Sequence, residues 1–429
     1  MDIVIRKPSL GTNVAGLLAF MLFAGRWGVS VESQTQSLSI LGGVLYEFAF
    51  QLRWWLLVIM AIFIAFDYRR RGKSLLLRAR HRGVAIFVIL TSILISGAAF
   101  TDGTEYTIKK AFDVAALTMT ILLLFYVQNQ RPGSDEQLQK SMLIFCFLLG
   151  SAISLLALVT ADLSQRAAVA DGGPNTFVRI VGVAAISCIG IARIPRIFAF
   201  VATAVYLTLI VLTQSRGGLL AFTCAVGLQF VWIFGWRSRL VYGMIALATV
   251  GAVANFTAIG QRCVEIIEIR VFSQTLTDNY TAGRDQIYAE SWYIWEDEFL
   301  FGHGLSDWWD RLGTYPHNIF LEIGCDSGLL GMTAFVALMG IYLANALRCR
   351  TPVAKSIACL TLFYFLAAQF SGDLYDSRGL FYFGTMLCAS QVASDSNLTS
   401  NAKILPNTST HNAGRRRPIQ NQKRVHPTS

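Results

Sequence analysis

Apolar runs of about 17 or more residues recur along almost the whole chain, and roughly 20 helical residues are needed to cross a hydrocarbon core near 30 Å. That repetition constrains the fold more than any other feature. In lipid, every backbone N–H and C=O must find its partner within the spanning structure, so runs of this length read as transmembrane helices. Composition agrees: 54% of the 429 residues are hydrophobic and 14% are charged, too little polar surface for a water-soluble protein of this size. The predicted fold class is an all-α polytopic integral membrane protein.

Spans are predicted near 11–29, 53–68, 83–100, 111–127, 141–160, 176–192, 197–213, 219–236, 240–259, 319–347, 355–370 and 380–394, about twelve crossings. Segment 37–51 is apolar but short and carries Glu47 and Gln51, so it reads as an interfacial lead-in; a crossing there would invert everything after it. Lys- and Arg-rich short loops stay in the cytoplasm. With the N-terminus inside, the inner loops collect Arg6 and Lys7, the basic run from Arg69 to Arg82, Arg131 and Lys140, Arg193 and Arg196, Arg237 and Arg239, and Arg348, Arg350 and Lys355. Both termini are then cytoplasmic. A transmembrane domain, 1–394, includes one large loop on the outer side, 260–318, containing short helices. Residues 395–429 form a basic tail with Arg415, Arg416, Arg417, Lys423 and Arg424, predicted to be disordered and drawn to anionic lipid head groups. The net charge of +10 is thereby assigned to topology rather than to nucleic acid.

Arg6 and Lys7 before a short apolar core also resemble a secretion signal. The following Ala24-Gly25-Arg26-Trp27 is a poor cleavage site, so the first helix is expected to be retained. The eight cysteines are scattered singly, without metal or redox spacing. A Cys263 to Cys325 bridge is conceivable, and unpaired thiols are the favoured reading.

Three polar constellations stand near the outer face. Gln214-Ser215-Arg216-Gly217-Gly218 places a guanidinium at the turn between two apolar helices, where it can fork onto phosphate oxygens or simply close a hairpin. Thr281-Ala282-Gly283-Arg284-Asp285 puts Arg284 near a helix N-terminus that favours anions, or beside Asp285 or Glu290. Pro316-His317-Asn318-Ile319-Phe320-Leu321-Glu322 leads into a span that continues through Asp326-Ser327-Gly328-Leu329-Leu330-Gly331. Taken alone, His317 is an ordinary interfacial residue. Between the second and third constellations, Tyr288, Trp292, Trp295 and Phe299 recur at helical spacing. They suit either interfacial anchoring or contact with sugar rings. Glu296-Asp297-Glu298 reads as a solvated acidic face, and neither a metal nor a cofactor is expected.

In order and spacing, these motifs resemble the O-antigen ligase and O-antigen (Wzy-type) polymerase family of bacterial membrane glycosyltransferases. The resemblance rests on Ser215-Arg216-Gly217-Gly218, on Gly283-Arg284 followed by Trp292, Trp295 and Phe301-Gly302-His303-Gly304, and on His317 to Glu322 with Gly328-Leu329-Leu330-Gly331. Gly172-Gly173-Pro174-Asn175 is a weaker match. Asp326 departs from the family, which more often has Glu there, and the stretch between Gly304 and His317 is short.

The resemblance implies a multi-pass protein of the bacterial inner membrane. It would transfer a glycan from undecaprenyl diphosphate to an acceptor hydroxyl at the periplasmic face, in O-antigen or exopolysaccharide synthesis. His317, Arg216 and Arg284 would be catalytic. Arg179, Asn175, Ser215, Gly217, Asn318, Trp292, Trp295 and Glu322 would bind substrate. Expected partners are the lipid-linked glycan, an acceptor glycan or glycolipid, the bilayer, and a chain-length regulator or other polysaccharide export proteins. A diphosphate leaves readily when cations stabilise it, so two arginines suit a metal-independent inverting displacement, with a neutral imidazole as base. A polymerase is slightly preferred to a ligase acting on lipid A core. A flippase or other transporter of lipid-linked glycan is the rival from another class. Such proteins place ionisable groups within spans, whereas Asp67, Asp113 and Glu322 are expected near helix ends, with span middles almost free of charge.

Overall fold

The computed structural model describes residues 10–23, 82–101, 103–128, 134–160, 173–238, 255–277 and 283–388, with isolated positions between 55 and 69 and between 240 and 251. No strand occurs among the described residues. The helices are α1 (Leu10–Phe23), α2 (Arg82–Gly97), α3 (Glu105–Gln128), α4 (Ser134–Thr160), α5 (Pro174–Gly190), α6 (Arg196–Leu212) and α7 (Arg216–Ile233). They continue with α8 (Ala258–Ile267, extended in π winding over Glu268–Thr277), α9 (Arg284–Asp297), α10 (Trp308–Leu312), α11 (Ile319–Leu347) and α12 (Pro352–Ala367). A last helix, α13, covers 378–388.

Among the described residues, five helical stretches are long and apolar enough to cross a membrane: Arg82–Phe100, Glu105–Gln128, Asp135–Ala157, Arg216–Ile233 and Ile319–Leu347. Thr12–Phe23, Pro174–Gly190, Arg196–Leu212 and Pro352–Ala367 are apolar but shorter. The expected spans 53–68 and 240–259 fall largely outside the described residues. Segment 37–51, Asp67 and the tail 395–429 fall wholly outside them.

The outward faces show which solvent this bundle was built for. On α6, Ile197, Phe198, Val201 and Val205 are exposed, and on α11 so are Leu329, Leu330, Val336, Leu343 and Leu347. Apolar stripes of this extent are a liability in water and ordinary against lipid. Inside, α4 packs on α1 and α5, α12 on α5 and α7, and α11 on α2. Small residues permit the close approaches that membrane helices depend on: Gly150 of α4 lies against Ala184 of α5, and Gly190 against Ser356 of α12.

α11 is broken at Gly328, where φ is 57° and ψ is −153°. The chain after α9 docks into the break: Leu329 N–H donates to Phe299 C=O (2.8 Å), Leu330 N–H to Leu300 C=O (3.3 Å) and His303 N–H to Cys325 C=O (2.9 Å). A Cβ on Gly328 would lie 2.5 Å from the Leu300 carbonyl carbon, and one on Gly302 2.5 Å from Ser327 N. Only glycine lets two backbones meet this closely at positive φ. The Gly302 and Gly328 motifs therefore fix the segment between α9 and α11 against a spanning helix.

Candidate functional site

Two chain reversals in this bundle are built alike. At the first, Gln214 has φ 57°, Ser215 is extended and caps α7 by accepting from Gly218 N–H (3.3 Å), and Arg216 is the first helical residue. At the second, His317 has φ 59°, Asn318 is extended, and its Oδ1 accepts from Phe320 N–H (2.9 Å) and Leu321 N–H (3.4 Å) at the head of α11. Ser and Asn are strong N-caps because their side chains satisfy amides that the first turn cannot. A non-glycine residue at positive φ costs roughly 1–2 kcal/mol, and such strain clusters at functional sites. Ser215 Oγ also donates to Asn175 Oδ1 (2.6 Å) at the start of α5, where Pro174 opens the helix.

Arg284 is likewise the first residue of its helix, after Gly283 at φ 75°. Its charge acts on both Tyr288 and His317. Burial first, and then the Arg284 guanidinium, push the His317 imidazole down to about 4. His317 is therefore neutral near pH 7. Its ring lies 4.2 Å from that of Tyr315, and its Nδ1 is buried without a hydrogen-bond partner among the described residues.

The connection between α12 and α13 joins these pieces. Ile319 N–H donates to Ala368 C=O (3.0 Å). Tyr288 Oη (3.0 Å) and Asn318 Nδ2 (3.5 Å) both donate to Gln369 C=O. Gly217 lies against Phe370, and Arg179 Nη2 donates to Ser371 C=O (2.5 Å). Gly372 has φ 75°, and a Cβ there would lie 2.5 Å from the Arg179 guanidinium. One short stretch thus brings the His317, Arg284 and Arg216 segments together. Arg179 is buried beneath it, 4.0 Å from Asp376, holding this connection.

Beneath the connection lies a buried charged cluster. Lys110 of α3, 1% exposed, pairs with Glu322 of α11 and with Asp373 (3.0 Å). Leu374 N–H donates to Glu322 (3.1 Å), and the Lys110 ammonium lies 5.4 Å from the Trp308 ring centroid. Asp326 Oδ1 accepts from Ser306 N–H (2.8 Å) and Trp308 Nε1 (2.6 Å). Lys110, Asp113, Glu322 and Asp326 are all buried, and all stand in the N-terminal halves of their helices, Glu322 in the first turn of α11. Mutual pairing of Lys110 with Glu322 and Asp373 makes their burial tolerable. Glu322 faces Lys110, with one oxygen, Oε2, buried and unpartnered among the described residues.

The aromatic helix also differs in detail. α9 ends at Asp297 and buries Ser291 and Ile294, while Trp292 is 51% exposed. Trp295 is half-buried, packs on Gly324 of α11 and stacks on Phe299 at 5.8 Å. Trp295 packs there because Gly324 offers room for an indole, and Cys325 Sγ donates to Ser291 C=O (3.1 Å). All eight cysteines are free, so Cys263 and Cys325 are not bridged. His303 ties its own loop, with Nδ1 2.9 Å from Arg311 and Nε2 3.5 Å from Asp297. Lys110, Gln369, Asp373, Asp376 and Arg378 escaped the sequence reading. The only signal for the last four was Gln-Phe-Ser-Gly-Asp-Leu-Tyr-Asp-Ser-Arg over 369–378, a polar interruption between two apolar runs.

An all-α bundle with long apolar helices and apolar outward faces has the character of a membrane protein, and Arg216, Arg284 and His317 stand at or beside the starts of its helices. Residues 198–336 match the family model described as O-antigen ligase, a stretch that contains Arg216, Arg284 and His317. The matched stretch carries most of the motifs on which the resemblance rests. No curated protein matches the chain.

Proposed function

We propose that this protein transfers a glycan from undecaprenyl diphosphate to an acceptor hydroxyl at the periplasmic face of the bacterial inner membrane, building a surface polysaccharide. The observation that carries the reading is the meeting of the Arg284 and His317 segments at Gln369, within the stretch that matches the O-antigen ligase family. About twelve spans, cytoplasmic termini and a periplasmic position for the loop around α9 complete the proposal.

Arg216 and Arg284 hold the diphosphate, each at a helix N-terminus where the dipole also favours anions. His317 Nδ1 takes the proton of the acceptor hydroxyl, and the freed oxygen attacks the anomeric carbon. The bond from that carbon to the diphosphate oxygen breaks with inversion, and its electron pair leaves on the diphosphate. An imidazole held near 4 is a weak base in the resting protein. Donor binding neutralises the field of Arg284, removing one of the two causes and strengthening the base once substrate is present. Trp292, exposed beside Trp295, offers a ring face for sugar. Asn175, Ser215, Gly217 and Asn318 line the heads of α7 and α11.

Deletion of the gene, followed by glycan gels and lipid extraction, tests this reading. Single-repeat products indicate a polymerase, the slightly preferred form, and full-length chains stranded on the carrier indicate a ligase. A second reading, transport of the lipid-linked glycan, is favoured by the buried Lys110, Glu322 and Asp373. Repeats trapped on the inner leaflet would establish it and sink transfer. His317→Ala should abolish transfer at unchanged protein abundance, and transfer should survive chelation of divalent metals.

A further inference from the structure

Two exposed apolar surfaces that the proposed function leaves unused meet at the break in α11. Phe299, Leu300 and Phe301 are consecutive and exposed, Phe301 by 71%, and Leu329 and Leu330, whose amides pair with the first two, are exposed as well. Leu329 begins an outward stripe that continues through Val336 and Leu343 at intervals of seven, two helical turns. The chain after α9 therefore extends a face already turned to lipid. The two helices it touches give its level. From Leu347, beside the basic Arg348 and Arg350, to Leu329 is about 27 Å along α11, and from Arg82 to Gly97, which lies against Gly304, is about 22 Å along α2. Both distances fall within a hydrocarbon core of about 30 Å. Immediately before Phe299, Glu296, Asp297 and Glu298 are all exposed, so polarity reverses from one residue to the next. Backbone at such a depth must find its partners within the protein. Phe299 and Leu300 C=O accept from Leu329 and Leu330 N–H, His303 N–H donates to Cys325 C=O, and Gly302 N–H donates to Glu298 C=O (2.8 Å). Paired backbone beneath exposed apolar side chains is what hydrocarbon requires and water does not.

We propose that Phe299, Leu300 and Phe301 form a re-entrant knuckle inserted among the phospholipid acyl chains of the leaflet on the loop's side. The loop is then not wholly outside the membrane: it re-enters the bilayer between α9 and α10. α9 is tied to the hydrocarbon edge at its last residues, with Arg284 at its other end. The break at Gly328 marks that edge on α11, so Glu322, about 10 Å further along the helix from Leu329, stands in the head-group layer. Insertion requires neither a glycan nor its transfer, only the orientation proposed above. A protein partner seated on the same patch is the competing occupant.

Depth-resolved quenching provides the test. A fluorescent amino acid is placed at Leu300 and, in a second variant, at Phe301, both exposed positions where a larger side chain displaces little. The full-length protein is reconstituted alone in phosphatidylcholine vesicles, with iodide on both sides of the bilayer or with phospholipid spin-labelled either near the head or near the end of its acyl chain. At both positions the largest loss of emission should come from the label near the head. Two further positions calibrate the scale. At Val336, about 17 Å from Leu347 and so near the bilayer centre, the label near the chain end should quench most, and at Glu296 iodide should. A larger loss to iodide than to the shallow label at Leu300 or Phe301 overturns the insertion; with no other protein in the vesicles, that result would favour a partner as the occupant. Strongest quenching by the deep label overturns the assigned level. Transfer does not enter the readout, so failure of the proposed glycan chemistry leaves this result standing, and failure of the insertion leaves the chemistry untouched.

Discussion

Replacing Lys110 with Met removes the cation from a cluster that contains two carboxylates. The ammonium is 1% exposed and pairs with Glu322 and Asp373. Leu374 N–H would still donate to Glu322, and Asp376 N–H to Asp373, yet both carboxylates would stay buried without a countercharge. Breaking a buried pair from one side costs roughly 3–5 kcal/mol, mainly through the charge left behind. The thioether fills most of the vacated volume, so little of the loss comes from packing. Thermal unfolding in nanodiscs, followed by tryptophan fluorescence, should show Tm lower by several degrees. Because Trp308 lies over Lys110, the folded-state emission should change as well. Adding Glu322→Gln and Asp373→Asn removes the stranded charges and should recover most of the stability. A single variant with unchanged Tm, or a triple variant no better than the single, would refute the electrostatic account.

Other consequences concern the site itself. As the folded imidazole of His317 is held near 4, the acid limb of kcat/KM should fall near that value rather than near 6.5, the unperturbed value. Arg284→Gln should move the limb upward whatever it does to donor affinity, and an unmoved limb would contradict the field effect. The same depression means that the unfolded chain binds the proton more readily. Stability should therefore decline as pH falls from about 6.5 toward 4, and His317→Asn should flatten that part of a Tm against pH curve. Gly372→Ala forces a Cβ onto the Arg179 guanidinium at φ 75°. It should cost at least about 1–2 kcal/mol in backbone strain alone and lower transfer; wild-type Tm and activity would show that the connection tolerates displacement.

Much of the site was legible as local signal. Ser215 and Asn318 are capping residue types at the heads of apolar runs, and Gly283 before Arg284 marks a helix start. The Gly302 and Gly328 motifs were visible as motifs, although their meeting was not. Spacing put Trp292 and Trp295 on one face of α9, and their rings do meet; which of them another helix would cover was not legible, because that depends on Gly324. The pairing of Lys110 was not legible, because a lone lysine at the edge of an apolar run looks like a boundary until its partners are known.

By itself, the sequence determined that the chain is helical and built for lipid, because hydrocarbon demands internal hydrogen bonding over runs of a set length. It also determined which turns carry cations. Only the tertiary structure decided that Lys110 meets Glu322 and Asp373, 212 and 263 positions away. It alone decided that the stretch between α12 and α13 touches the His317, Arg284 and Arg216 segments in turn. Periodicity reports which face of a helix is buried; it carries no information about which distant carboxylate or carbonyl that face will meet.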